Sequence, residues 1–150
     1  MTLSTRIHSA LWTPAIAVAI LVASAAAAIA QTRIYSPIPL PDSREVQDTL
    51  SDQDIPTGVG GYARDYTVYL EAGDQVAIDL ISDEFDTLVS LIGPNGETIS
   101  ENDDGPDGTT NSLLFARITT TGVYTVRVRA YAGQGTGTFT LKVARLRPVN

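Results

Sequence analysis

The stretch Gly122-Val123-Tyr124-Thr125-Val126-Arg127-Val128-Arg129-Ala130 decides the fold. Successive side chains of an extended chain point to opposite faces, so Tyr124, Val126, Val128 and Ala130 line one side of a half-buried strand. The same period recurs upstream in Tyr66, Val68 and Leu70, and again in Val76, Ile78 and Leu80. Downstream it returns in Phe139, Leu141 and Val143. Turn residues separate these runs. Glu71-Ala72-Gly73-Asp74 follows one, and Gly93-Pro94-Asn95-Gly96 follows the more continuously apolar Thr87 to Ile92. Asn-Gly between two apolar runs is a strong hairpin signal, because both residues tolerate positive φ. Leu113 and Phe115 are assigned to one face of a further strand, with Ile118 near its end.

These runs make seven or eight short strands, and no segment has a convincing helical period. The expected fold is all-β, an antiparallel two-sheet β-sandwich of jelly-roll type, extending from Glu45 to Arg147. Its inner face should include Val68, Ile78, Leu80, Leu91, Phe115, Tyr124, Val126, Val128, Phe139 and Leu141. Val46 and Leu50 mark the first strand. Before it, Pro37, Pro39 and Pro41 alternate with apolar residues, which disfavours helix and reads as an extended tether over residues 31–44.

Residues 1–30 read as an address. Arg6 and His8 precede an alanine-rich apolar stretch from Leu11 to Ile29, closing with Ala28-Ile29-Ala30. A basic start, an apolar centre and an A-x-A site are the three parts of a secretory signal peptide. A retained membrane anchor is the competing reading, weakened by Pro14 and by the small transfer energy of alanine. After cleavage no stable membrane span is expected, and the protein would be secreted or periplasmic. Met1, His8 and Trp12 would leave with the peptide. The remainder would then contain no His, Cys, Met or Trp. That removes the central residue of serine and cysteine hydrolase triads, of thiol redox chemistry and of His- or Cys-ligated metal sites. A net charge of −7 argues against nucleic acid as a partner. With no disulfide available, either the hydrophobic core suffices or a bound ion acts as a staple.

Charge is unevenly spread. Asp83, Glu84, Asp86, Glu97, Glu101, Asp103, Asp104 and Asp107 fall in one window without a base, whereas from Gly108 onward there are bases and no acid. Acidic loops and basic strands can neutralise each other across the sheet. Alternatively, crowded carboxylates can hold a cation, and Asp86, Asn102, Asp103 and Asp104 are the candidate calcium ligands, since calcium takes carboxylate and amide oxygens. The spacing is not that of an EF-hand, because the twelfth position counted from Asp103 is Leu114. Asn and Asp also serve tight turns by bonding their own backbone. Both readings stay open.

The ordered set of Glu71-Ala72-Gly73-Asp74, Ser82 through Thr87, Gly93-Pro94-Asn95-Gly96, Asn102-Asp103-Asp104, Gly122-Val123-Tyr124 and Gly137 through Leu141 resembles the bacterial pre-peptidase C-terminal domain. The family usually has Tyr where this chain has Phe139. The resemblance implies a small jelly-roll-like sandwich found in secreted peptidases and similar to calcium-dependent collagen-binding domains. It implies a non-catalytic, monomeric binding or targeting module with calcium as a cofactor. A secreted peptidase, an extracellular protein or a polysaccharide would be its partner. Tyr62, Tyr69 and Tyr131 are candidate contact residues, since exposed rings stack on sugars or pack on peptide. Two other classes compete: a structural or interaction protein of the cell envelope, and, more remotely, a glycoside hydrolase using Asp86 with Asp103 or Asp104. No nucleophile-base constellation supports the enzyme reading.

Export predicts that the protein recovered outside the cytoplasm begins at Gln31, or at its cyclised form, by mass spectrometry. Full-length chain in the membrane fraction would instead identify a retained anchor.

Overall fold

The computed structural model describes residues 35–146. The signal-peptide reading of residues 1–30, the start of the tether and Arg147 lie outside the described residues. The strands are, in chain order, β1 (Ile38–Pro39), β2 (Glu45–Leu50), β3 (Ile55–Pro56), β4 (Tyr62–Leu70), β5 (Gln75–Ile81), β6 (Thr87–Ile92), β7 (Thr98–Asn102), β8 (Ser112–Arg117), β9 (Gly122–Ala130) and β10 (Gly137–Leu146). They form two sheets. One has the order β1-β4-β9-β6-β7, with β3 paired to β4, and the other has the order β2-β10-β5-β8. All pairings are antiparallel except that of β1 with β4. The only helical element among the described residues is a single 3-10 turn, Tyr131–Gly133. None is long and apolar enough to cross a membrane.

β9 lies between β4 and β6, so its alternation is matched on both flanks. Tyr66 and Leu91 sit opposite Val126, and Val89 sits opposite Val128. In the facing sheet Leu141 pairs Leu80, and Ile78 is flanked by Val143 and Leu114. The inner faces meet in one continuous core. At its centre the Tyr66 ring stands edge-on to Phe139 at 6.3 Å, and Phe139 stands edge-on to Phe85 at 6.5 Å. Edge-to-face pairs bring the positive rim of one ring to the negative face of the next.

Nine of the ten residues expected inside are buried, Leu91 among them. Phe115 is the correction: it is 62% exposed, and Leu114 takes the inner position at 1%. Parity explains the error. Ser112, Leu114 and Ile118 share one phase and are all buried, whereas Phe115 shares its phase with exposed Arg117. The phase of Ile118 and Arg117 was the better guide, because a one-residue slip moves every side chain to the other face.

The proline segment is extended, and part of it belongs to a sheet. Ile38 and Pro39 pair with Tyr66 and Thr67, and the Leu40 amide donates to the Thr67 carbonyl at 2.9 Å. Pro39 has no N–H to give, which suits the outermost strand.

One polar cluster ties the sheets together. The Tyr66 hydroxyl, on β4, donates to Asp48 Oδ2 on β2 at 2.7 Å. Arg64 donates from Nε to the same oxygen at 2.9 Å and from Nη1 to Asp54 Oδ1 at 2.6 Å. Burial pulls the Asp48 carboxyl upward, but the Tyr66 hydroxyl, the Thr49 amide and Arg64 outweigh it and hold it below its ordinary value. Burial first, and Asp48 second, push the Tyr66 phenol well above its own.

Two predictions follow from this arrangement. Leu114→Ala should cost about 2–5 kcal/mol by denaturant unfolding, whereas Phe115→Thr should change stability by about 0.5 kcal/mol or less. Tyr66→Phe should cost about 1–2 kcal/mol at neutral pH. A depressed carboxylate contributes stability above its unfolded pKa of about 3.9, and loses it as pH falls through the folded value. The gap between Tyr66→Phe and the parent should therefore narrow in acid, measured as unfolding midpoints against pH.

Candidate functional site

The hairpin turn at Asn95-Gly96 gathers the candidate metal residues. Gly96 adopts φ +85°, and the Gly93 amide closes the loop on the Glu97 carbonyl. β6 and β7 then run antiparallel with Val89 opposite Asn102. Asp86, just before β6, and Asp103 and Asp104, just after β7, consequently share one end of the sheet. Their charges interact: the Asp86 carboxyl is raised, by burial first and then by Asp104 and Asp103. Among the described residues, however, no three His, Cys, Asp or Glu side chains are arranged to hold a metal ion. Two of the four candidates face other company. Asn102 and Asp103 line a cavity beside Arg129, whereas Asp86 lines a separate depression with Asp83 and Glu84. The donor chemistry suits a hard cation, and the carboxylates crowd one corner of the sheet.

Cross-strand neutralisation accounts for only one acid of this window among the described ion pairs. On the outer face of the β4-β9-β6-β7 sheet, Asp65, Arg127, Ser90 and Glu101 form a row of register partners. Arg127 grips Asp65 with Nε at 2.8 Å and Nη2 at 2.7 Å, and Asp65 is only 3% exposed. A planar guanidinium matched to a carboxylate in two bonds compensates the loss of water on both groups. Ser90 donates to Glu101 at 2.5 Å, and Arg129 Nη2 reaches the same Glu101 oxygen at 2.6 Å. The Ser90 hydroxyl touches a carboxylate, as do those of Ser51, Thr109 and Thr138, but Ser90 is buried at 3% exposure. It therefore serves the ladder and is closed to a substrate. Sequence reading did not single out Ser90, Asp65 or their pairing. The available signal was the arginines interleaved with valines in β9, which required charged partners on the same face.

Beside this ladder lies a cavity of about 330 Å³, walled by Tyr62, Leu88, Glu101, Asn102, Arg129 and Tyr131. Its rim is made by two loops in backbone contact. A Cβ on Gly61 would lie 2.7 Å from Gly133, and one on Gly133 would lie 2.5 Å from Gly60, so neither position admits a side chain. The Tyr131 amide donates to the Asp86 carbonyl at 2.8 Å, anchoring the second loop to the acidic corner. Ala132, next in the chain, is held at φ +52°, a conformation that costs a non-glycine residue energy. Two buried polar atoms of the wall have no partner: Asn102 Oδ1, an acceptor, and Arg129 Nε, a donor. Tyr131 is 48% exposed. Of the other candidate contact residues, Tyr62 also lines the cavity, whereas Tyr69 is exposed elsewhere on the sheet. The cavity can form hydrogen bonds and ring contacts; it presents no accessible nucleophile with a base.

Residues 62–130, from the first residue of β4 to the last of β9, match the bacterial pre-peptidase C-terminal domain family. No curated protein matches the chain. Among solved structures, the pre-peptidase C-terminal domain of a collagenase from Bacillus anthracis is similar with a TM-score of 0.54 at 12% identity. That alignment covers 73% of this chain and 95% of the collagenase domain. PliG from Aeromonas hydrophila, a periplasmic inhibitor of g-type lysozyme, is similar with a TM-score of 0.52 at 15% identity. It covers 74% of this chain and 96% of PliG. At these identities the likeness establishes the shared sandwich fold. The family match spans β4 to β9, and the β-sandwich of this chain is similar in fold to a solved member of the bacterial pre-peptidase C-terminal domain family.

Proposed function

We propose that the chain is an exported, non-catalytic binding module, acting in the extracellular space or the envelope on a secreted peptidase, another extracellular protein or a polysaccharide. The observation that carries this reading is the match of residues 62–130 to a peptidase-associated domain family. Two features of the molecule support it. The buried hydroxyls and the arginines of the sheet are committed to structural bonds, as in Thr87 with Ser112 and Arg127 with Asp65. The open cavity beside the ladder is lined by tyrosine rings and polar side chains. Export rests on the residue pattern up to Ala30, and PliG supplies a periplasmic protein with the same fold. The test is cosedimentation of the exported protein with insoluble collagen and with insoluble polysaccharides, run beside assays on casein and chromogenic glycosides. Binding without hydrolysis is the expected outcome. Glycoside hydrolysis abolished by Asp86→Asn would replace this reading with the carboxylate-pair enzyme.

Calcium belongs to the proposal as a stabiliser of the acidic corner, favoured by the raised Asp86 carboxyl. A raised folded-state pKa means that the charged form is disfavoured, so stability is fullest at acid pH and declines as pH rises through that value. At neutral pH in chelator, Asp86→Asn should therefore melt above the parent. Millimolar calcium should raise the parent by a few degrees, corresponding to about 2.7 kcal/mol when the ion stands at a hundred times its dissociation constant. The variant should respond less. An unchanged parent midpoint at matched ionic strength would leave Asp103 and Asp104 as turn residues.

A further inference from the structure

We infer that the outer face of the β2-β10-β5-β8 sheet is a self-association surface. Two copies of this chain pack there about a two-fold axis, with Phe115 on the axis and Arg117 of each copy against Asp79 of the other. The inference is independent of the binding-module reading, and it replaces the monomer that the family resemblance implies.

Register lays this face out. Residues directly opposite on neighbouring strands share a face, so Phe115 on β8 lies beside Ala77 on β5, with Ala144 beyond it on β10. Phe115 is 62% exposed, and the methyl groups of its two neighbours are too short to cover the ring. One step along the strands in one direction, Arg117 lies opposite Gln75; one step in the other, Leu113 lies opposite Asp79. A large exposed ring at the centre of a sheet face is the kind of feature that marks a contact with another molecule.

Two charges on this face are left over. Neither Arg117 nor Asp79 takes part in an ion pair among the described residues. Lys142, the register neighbour of Asp79, reaches Glu45 instead at 3.7 Å. Within one chain the two charges stand apart. Arg117 and Asp79 are four residues out of register on adjacent strands, so their Cα atoms are roughly 14 Å apart at 3.4 Å per residue and 4.8 Å per strand.

That diagonal selects the partner. Its midpoint falls between Phe115 and Ala77. A two-fold axis through this point, lying between two facing sheets and running across the strands, exchanges the ends of the diagonal. Arg117 of each copy then sits over Asp79 of the other, and the two Phe115 rings meet on the axis. The strands of the two copies stay roughly aligned, as in packed sheets. An isologous contact needs a patch that is its own complement, and the opposite charges flanking Phe115 supply that complement. Burial of the rings gives the affinity, while the reciprocal charges set the register of the two copies.

The test is sedimentation equilibrium of the exported protein from about 10 µM to 1 mM. The weight-average mass should climb from monomer toward dimer across that range. Phe115→Thr should weaken association at least about tenfold while leaving the unfolding midpoint of dilute, monomeric samples unchanged. Arg117→Asp and Asp79→Arg should each weaken it about tenfold, and their combination should return to within about threefold of the parent, because the pair is restored with its signs exchanged. Tyr69→Ala, on the other sheet, should change nothing. Melting curves of dilute samples identify any variant that fails to fold. If Asp79→Arg is one, isotope-filtered NMR of mixed labelled and unlabelled parent replaces the charge exchange, with contacts between Phe115 rings of different copies as the expected result. A monomer throughout the range overturns the proposal. So does association that survives Phe115→Thr, association that folded charge-exchange variants do not recover, or absence of contacts between copies at Phe115.

Discussion

The Tyr66 side chain makes two demands that the rest of the sandwich meets. Its ring is wholly buried against Phe139, which belongs to the opposite sheet, while its hydroxyl must reach a partner without leaving the core. Asp48, on the edge strand of that opposite sheet, is the partner, and Arg64 two residues along the same strand neutralises it. A buried hydroxyl without an acceptor would cost more than the bond gains, so the two sheets are held at the separation and offset that this contact allows. The core lies on one side of it, and the loop bearing Asp54 is fastened on the other. A small domain without disulfides needs such cross-sheet fastening beyond its hydrophobic burial.

The charges of the chain are then sorted by what each face can offer. Outward positions on β9 carry Arg127 and Arg129, and register brings them onto Asp65, Ser90 and Glu101 from three different strands. This ladder satisfies its own members almost completely. The acids that follow β7 and precede β6 receive no comparable compensation among the described residues, and the Asp86 carboxyl is raised, by burial first and then by Asp104 and Asp103. The sandwich thus has a saturated flank and an unsaturated end.

Location of the cavity follows from topology. β9 runs out of the sheet into the Tyr131–Gly133 turn before crossing to β10, and the loop after β3 folds back over it at Gly60 and Gly61. Close backbone approach at those glycines leaves a hollow beside the end of β7 that neither strand could enclose alone. Rigid strands fix Arg129 and Asn102, and the loops supply Tyr131 and the rim. Binding surfaces of sandwich domains commonly combine a rigid scaffold with loops at one end in this way.

The local pattern of the chain determined the strands, their apolar faces and the hairpin at Asn95-Gly96, because alternation and positive φ are properties of neighbouring residues. Tyr66, Val126, Leu80 and Leu141 were legible for that reason. Family likeness was legible too, through the order of the turn motifs. Phe115 was misread where two large residues, Leu114 and Phe115, competed for one phase, and only packing against Ile78 and the facing sheet decided it. The acidic cluster was visible as composition, but whether its members converge depends on register across β6 and β7. Tertiary structure alone brought Asp86 beside Asp103 and Asp104, paired Arg129 with Glu101 and left Asn102 Oδ1 without a partner. Each of these facts joins residues distant in sequence, and the chain pattern carries no record of which strand will lie beside which.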